Sequence, residues 1–214
     1  MNGIIDSNQK IVTNGLILNL DAAQLRSYPT TGTTWTDLSG SGNNATLINT
    51  PTYSTLGGGS ILFNGTNSYA SGNIQNSTTY TFNVWARNIN TTIGGSFIGT
   101  ATSPSTSANS FIQIGGGVRP FQFNDANQST AASTNQWVML TGVQNATTQE
   151  LYRNGSLVRT AIKINILGNY YNLGRRTDGV YLNTYISNVQ VYNRNLSGTE
   201  VAQNYNALKS RFGL

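Results

Sequence analysis

Short apolar or alternating runs recur along most of the chain, each closed off by glycine, asparagine, serine or threonine. They read GLILNL (15–20), NATLIN (44–49), SILFNG (60–65), SYASGNI (68–74), YTFNVWAR (80–87) and SFIGTA (96–101). They continue as SFIQIG (110–115), PFQFN (120–124), QWVMLTGV (136–143), QELYRNGSLVRT (149–160), YYNLGR (170–175) and TYISNVQVYNR (184–194). Side chains of a strand alternate between its two faces, so short runs of this kind at near-regular spacing specify a β-sandwich or barrel. No strand–helix alternation is present, which excludes a parallel α/β sheet.

The residues between the runs agree with this. Only 9 % of the 214 residues are charged and 37 % are hydrophobic. Threonine favours strands, while asparagine and glycine favour turns. A chain of this length fits one large all-β domain with a sizeable core. We expect a single domain over residues 13–214, preceded by an N-terminal arm or edge segment at 1–12. The serine- and threonine-rich stretch 101–110 reads as a surface loop. The GGG triplets at 57–59 and 115–117 read as turns or close backbone approaches, since no Lys-Ser/Thr follows to make a phosphate loop.

Cysteine and histidine are both absent. Disulfides and Cys/His zinc sites are therefore excluded, and so are Ser-His and Cys-His nucleophile systems. No apolar run approaches the ~20 residues needed to span a bilayer. The first residues, MNGIIDSNQK, lack a basic start followed by an apolar stretch, so no secretion signal is expected and export needs another route, such as release by lysis.

The net charge of +5 is unevenly placed. Residues 1–150 hold four basic and five acidic groups, whereas 151–214 hold eight basic and two acidic ones. The cations are spread through strands and a terminal helix, not gathered in a tract. That favours a solvated or subunit-facing surface over nucleic acid.

Two local features are specific. Asn154-Gly155 suits a type I′ hairpin turn, whose central residues both need positive φ. A regular hairpin around it sets Glu150 opposite Arg159. Ser197 followed by Glu200 is a capping box opening a C-terminal helix, with Val201, Tyr205, Leu208 and Phe212 as its apolar stripe. Lys209 and Arg211 fall in its last turn and Gly213 stops it. Such a stripe must dock, on the sandwich or on a neighbour, and those four residues are the candidate assembly contacts.

A family resemblance rests on GLILNLDA, SYPTTGTTWTDLSGSGNNATL, GGSILFNGTNSYA, YTFNVWAR, NQWVMLTGV, LYRNGSLV and ISNVQVYNRNLSGTEVAQNY, in that order. Over about residues 13–212 the chain resembles the laminin-G-like jelly-roll domains of the concanavalin A-like lectin/glucanase superfamily. The resemblance implies an all-β fold of two antiparallel sheets with one short C-terminal helix. The ending QNYNALKSRFGL is similar to forms found in tailed-phage structural proteins, where such domains serve as capsid decorations, fibre modules and adhesins.

Glycosidases on this fold carry an E-x-D-x-(x)-E run, because hydrolysis needs two carboxyls within about 5–10 Å. The seven acidic residues here are Asp6, Asp21, Asp37, Asp125, Glu150, Asp178 and Glu200. No strand holds two of them, so the chain is not expected to be an enzyme. Related jelly rolls bind calcium, and Asp21, Asp37, Asn43 and Asn44 are the motif-matched oxygen donors. The competing reading is that Asp21 and Asp37 tie down loops by capping backbone amides. No other cofactor is expected. Trp85 and Trp137 match packing positions, and Trp35 anchors its loop.

Lectin sites pair an aromatic face with amides and hydroxyls. Tyr28, Tyr53, Tyr69, Tyr170, Tyr171 and Tyr181 lie near turn signals, each with burial or ordinary exposure as the simpler reading. Tyr170, Tyr171, Arg175, Arg176, Asp178 and Tyr181 form the candidate glycan loop.

A single jelly roll with no separate attachment segment suits a small subunit docked on a shell, in a closed homo-oligomer whose basic third meets an acidic neighbour. The expectation is therefore a non-enzymatic phage virion structural protein on the virion surface. Its partners would be capsid or tail proteins, as a capsid decoration or a fibre or baseplate component. A carbohydrate-binding adhesin for host glycans is the alternative. Neither reading involves nucleic acid or a membrane span.

Overall fold

The computed structural model describes residues 10–89, 94–103, 110–114 and 121–214, with backbone only for 125–129. Residues 1–9 of the arm, 104–109 of the surface loop, the second GGG triplet and the side chains of Asp6 and Asp125 lie outside the described residues.

In chain order the strands are β1 (Leu16–Asp21), β2 (Thr34–Trp35), β3 (Ala45–Ile48), β4 (Thr52–Ser54), β5 (Ser60–Asn64) and β6 (Tyr69–Asn73). Next come β7 (Tyr80–Asn88), β8 (Gly95–Ala101), β9 (Ser110–Ile114), β10 (Phe121–Phe123) and β11 (Asp125–Thr130). The last are β12 (Trp137–Gln144), β13 (Thr148–Arg153), β14 (Ser156–Ile162), β15 (Tyr170–Leu173) and β16 (Asn183–Tyr192). Helix α1 (Gly198–Leu208) follows and tightens into a 3₁₀ turn at Lys209–Phe212.

Two antiparallel sheets result. The first runs β14-β13-β12-β7-β16-β5-β4, with β1 also on β16; the second runs β11-β10-β9-β8-β15-β6-β3-β2. The long β16 carries β5 along its first half and β1 along its second. Sequence alternation marks every strand except β2, β4 and β11. The first two are too short to show a period, and DANQST in β11 is polar apart from Ala126.

The inward faces interlock around Leu20, Phe63, Phe82, Phe97, Phe123, Leu140 and Tyr171, all buried. The first sheet is covered on its outer face too, which is why all of Tyr80–Ala86 in β7 is buried. There α1 lays Val201 and the following Phe212 onto Trp85, Met139, Tyr152 and Tyr192. Trp85 thus packs under the helix and not between the sheets; Phe212 stacks on it at 4.1 Å and Tyr205 at 5.6 Å. Trp35 is buried between the sheets.

A chain of polar groups runs under the helix. Thr141 donates to Asn83, Asn83 to Gln190, and Asn204 to the Tyr192 hydroxyl. Asn204 in turn accepts from the Val12 amide, pinning residues 10–12 along the helix. The capping box forms as expected, and Gly213 adopts φ 74° to end the turn.

Two expectations are corrected. The Asn154-Gly155 turn forms with positive φ at both residues, but a bulge beyond Tyr152 shifts the register. Glu150 faces Thr160, and Arg159 faces Leu151; Glu150 accepts instead from the Tyr152 hydroxyl. The assembly stripe is the second: Val201 is wholly buried and Phe212 8 % exposed in this chain's own packing, with Tyr205 and Leu208 half-buried beside them. These side chains fasten the helix to its own sheet and leave little for a neighbour.

Candidate functional site

The candidate calcium donors do not fit an ion. The Asp21 carboxylate accepts from Arg211 Nη1 at 2.9 Å on each oxygen, and from the Ala23 amide. A guanidinium already holds the position a cation would take. Asp37 Oδ1 accepts from the Asn19 and Ser39 amides, and Oδ2 from the Ser39 hydroxyl and the Asn43 amide. Asn44 Oδ1 accepts from the Asp37 amide, and Asn43 donates its side-chain amide to the Ile17 carbonyl. Asp37, Asn43 and Asn44 are spent on loop closure, while Asp21 caps the Ala23 amide and pairs with Arg211. Among the described residues no group of three Asp, Glu, His or Cys side chains could hold a metal.

The candidate glycan loop is split by the fold. Tyr171 is wholly buried between the sheets, its hydroxyl donating to the Asn43 carbonyl. Burial pushes that phenol well above its ordinary range, with Asp37 nearby adding to the effect. Tyr170 starts β15 while Arg175 follows its far end, roughly 16 Å away at the rise of an extended strand. Arg175 lies over the rings of Tyr69 (4.7 Å) and Tyr181 (5.6 Å), which are 6.1 Å from each other. Arg176 forks onto Asp178 with bonds of 2.8 and 2.6 Å, an ion pair that holds the Asp178 carboxyl below its usual range. Arg176 is thereby engaged within the loop, and Arg175 lies against one ring of the loop and one of β6.

A second aromatic pair lies at the rim where β3 of one sheet passes to β4 of the other. A cavity of about 630 Å³ opens there, lined by Tyr28, Thr30, Thr31, Gly32, Thr33, Leu47, Asn49, Thr50, Pro51, Thr52 and Tyr53. Tyr28 is 3 % exposed and forms the inner wall, its hydroxyl donating to the Gly32 carbonyl. Burial raises its pKa, so the phenol keeps its proton. Tyr53 is half-buried. The ring centroids are 6.1 Å apart with 32° between planes, which makes one continuous apolar wall. The lining also holds five threonines and Asn49, whose amide nitrogen donates to the Asn67 carbonyl; such side chains both donate and accept.

The backbone at this rim is unusual. Thr30, Asn49 and Thr50 all have positive φ, at 70°, 58° and 53°. For a β-branched residue that region is a genuine outlier. Sequence reading named Tyr28 and Tyr53 as turn-side aromatics but did not join them. The available signal was TTGTT beside one tyrosine and Asn49-Thr50-Pro51 beside the other.

Residues 63–202 match the laminin G-type family described as the concanavalin A-like lectin/glucanases superfamily, and the chain belongs to that family. No curated protein matches it. Among solved structures it is similar to the botulinum neurotoxin serotype D ligand-binding domain in complex with N-acetylneuraminic acid (15 % identity, TM-score 0.68, 91 % of this chain and 51 % of that one). It is likewise similar to the botulinum neurotoxin type G receptor-binding domain (19 %, TM-score 0.63, 90 % and 51 %). Trypanosoma rangeli sialidase also matches, at 13 % identity and TM-score 0.66, over 92 % of this chain and 33 % of the enzyme. The chain spans about half of each toxin domain and a third of the sialidase, and at these identities the likeness is one of fold.

Proposed function

We propose that this domain is a non-enzymatic glycan-binding module, with a sugar ring stacked on the Tyr53 face of the rim cavity. The observation that carries the reading is the joining of an apolar aromatic wall to a ring of hydroxyls and an amide in one cavity of sugar size. Sugars offer an apolar C–H face and a girdle of hydroxyls, and this lining complements both. A similar neurotoxin domain was solved with N-acetylneuraminic acid bound, which supports a sugar as ligand here. The non-enzymatic reading is supported by the carboxylates. Each one whose side chain is described is engaged within the chain: Asp21 by Arg211, Asp37 by loop amides, Glu150 by Tyr152, Asp178 by Arg176 and Glu200 by Arg194. A glycan array probed with the native chain and with Tyr53→Ala is the test. Signal lost in the variant supports the reading; equal signal from both refutes it.

A second reading, a virion-surface subunit of a phage decorating the capsid or forming part of a fibre or baseplate, is favoured by a different feature. β14 is the terminal strand of its sheet, and Leu157, Val158, Ile162, Ile164 and Ile166 are exposed on or just after it. An apolar sheet edge of this kind invites a partner. Arg159 within it suits an acidic neighbour on a larger assembly. Particles lacking the subunit that burst more easily, with adsorption unchanged, would support this role.

A further inference from the structure

We infer that the rim cavity selects uncharged sugars, and that the strained Asn49-Thr50 turn is the element that shapes it for them. This rests on the glycan reading above. None of the lining residues is Asp, Glu, Lys or Arg. An acidic sugar in the cavity would find no cation in the lining to meet its carboxylate, so nothing there favours it over a neutral one. A neutral sugar asks only for hydroxyl-to-hydroxyl and hydroxyl-to-amide bonds, which threonines and Asn49 supply. The neurotoxin complex supports a sugar as ligand, but the acidic charge of its N-acetylneuraminic acid is not what this lining favours.

The turn gives the second half of the inference. Asn49 and Thr50 take consecutive positive φ, as the central residues of a type I′ turn also do, and the chain turns there just before Pro51. Glycine is the favoured second residue of such a turn, because it has no Cβ to clash there. Threonine stands in that place at a cost in stability, and it lines the cavity, where glycine would offer no hydroxyl. Strain of this kind, held at a ligand site, marks a side chain retained for its contacts.

Titration calorimetry on the full chain tests both halves. The neutral probes are galactose, glucose and N-acetylglucosamine, and the acidic ones N-acetylneuraminic and glucuronic acids. The expected result is binding of at least one neutral sugar, no binding of the acidic ones, and loss of binding in Tyr53→Ala. Thr50→Gly is expected to raise the melting temperature by about 2–4 °C while weakening binding roughly two- to tenfold, the worth of one neutral hydrogen bond. Thr50→Ser is expected to keep the affinity. Acidic sugars binding more tightly than neutral ones, still dependent on Tyr53, would overturn the selectivity and leave the glycan reading intact. Sugar binding indifferent to Tyr53→Ala, or no sugar bound at all, would overturn the glycan reading itself. A Thr50→Gly variant that is no more stable, or that binds as well as the native chain, would overturn the role of the turn.

Discussion

Arg211 Nη1 lies 2.9 Å from both carboxylate oxygens of Asp21, fastening the last turn of the chain to the end of its first strand. The same guanidinium donates from Nη2 to the Ser187 hydroxyl on β16, so one side chain ties three elements together. Both partners are largely buried, and breaking such a pair from one side strands the remaining charge. Asp21→Asn should therefore cost about 3 kcal/mol, read as a lower urea midpoint. Calcium at millimolar concentration should leave the native melting temperature unchanged, because Arg211 already neutralises that carboxylate.

The C-terminal turn is held by rings. Phe212 stacks on Trp85 at 4.1 Å and 14°, and also meets Trp137 at 4.9 Å. Phe212→Ala should cost about 3 kcal/mol. It should also red-shift tryptophan emission as Trp85 gains contact with water. An unshifted spectrum in a destabilised variant would mean the helix stays docked without the ring.

The hairpin turn shows what sequence can and cannot carry. Asn154-Gly155 is legible because few residue pairs accept two positive φ values in succession. The bulge beyond Tyr152 is not, since nothing in ELYRNGSLVR marks an extra residue, and that slip separates Glu150 from Arg159. Alternation exposed most strands for the same reason the hairpin was visible: each signal is local. The rim cavity draws on residues between 28 and 33 and between 47 and 53; β2–β3 pairing joins Thr33 to Leu47, but Tyr53 of β4 reaches Tyr28 only across the two sheets, so its parts were visible and their union was not. The loop at 170–181 misled for the opposite reason. Its charges and rings crowd together in sequence, yet the fold buries Tyr171, lays Arg175 against one ring of the loop and one of β6, and uses Arg176 inside the loop.

Gly155 has φ 78°, and a Cβ there would come within 3.1 Å of the Tyr205 side chain on α1. Gly155→Val should thus disturb the turn and its contact with the helix, at about 2 kcal/mol. Chemical denaturation measures it; unchanged stability would contradict the turn geometry.

Glu200 accepts a two-pronged bond from Arg194 (2.6 and 3.0 Å) and caps the helix through Ser197. The Arg194 bonds, with help from Ser197, lower its carboxyl from an ordinary 4.5 to about 2. Because the folded pKa is depressed, this contribution is complete above about pH 4.5 and is lost as the pH falls towards 2. Glu200→Gln should flatten the fall in melting temperature across that window and lower stability at neutral pH. A variant whose acid profile overlays the native one would show that Glu200 plays no part in it.

The central claim is that a sugar sits on Tyr53 at the sandwich rim, and a crystal structure of the native chain soaked with its tightest neutral sugar tests it most directly. The account predicts the ring's C–H face in van der Waals contact with Tyr53, its hydroxyls meeting the 30–33 and 49–52 segments. Density for the sugar at the Arg175–Tyr181 loop or on the outer face of either sheet, with the rim cavity holding only water, would contradict it.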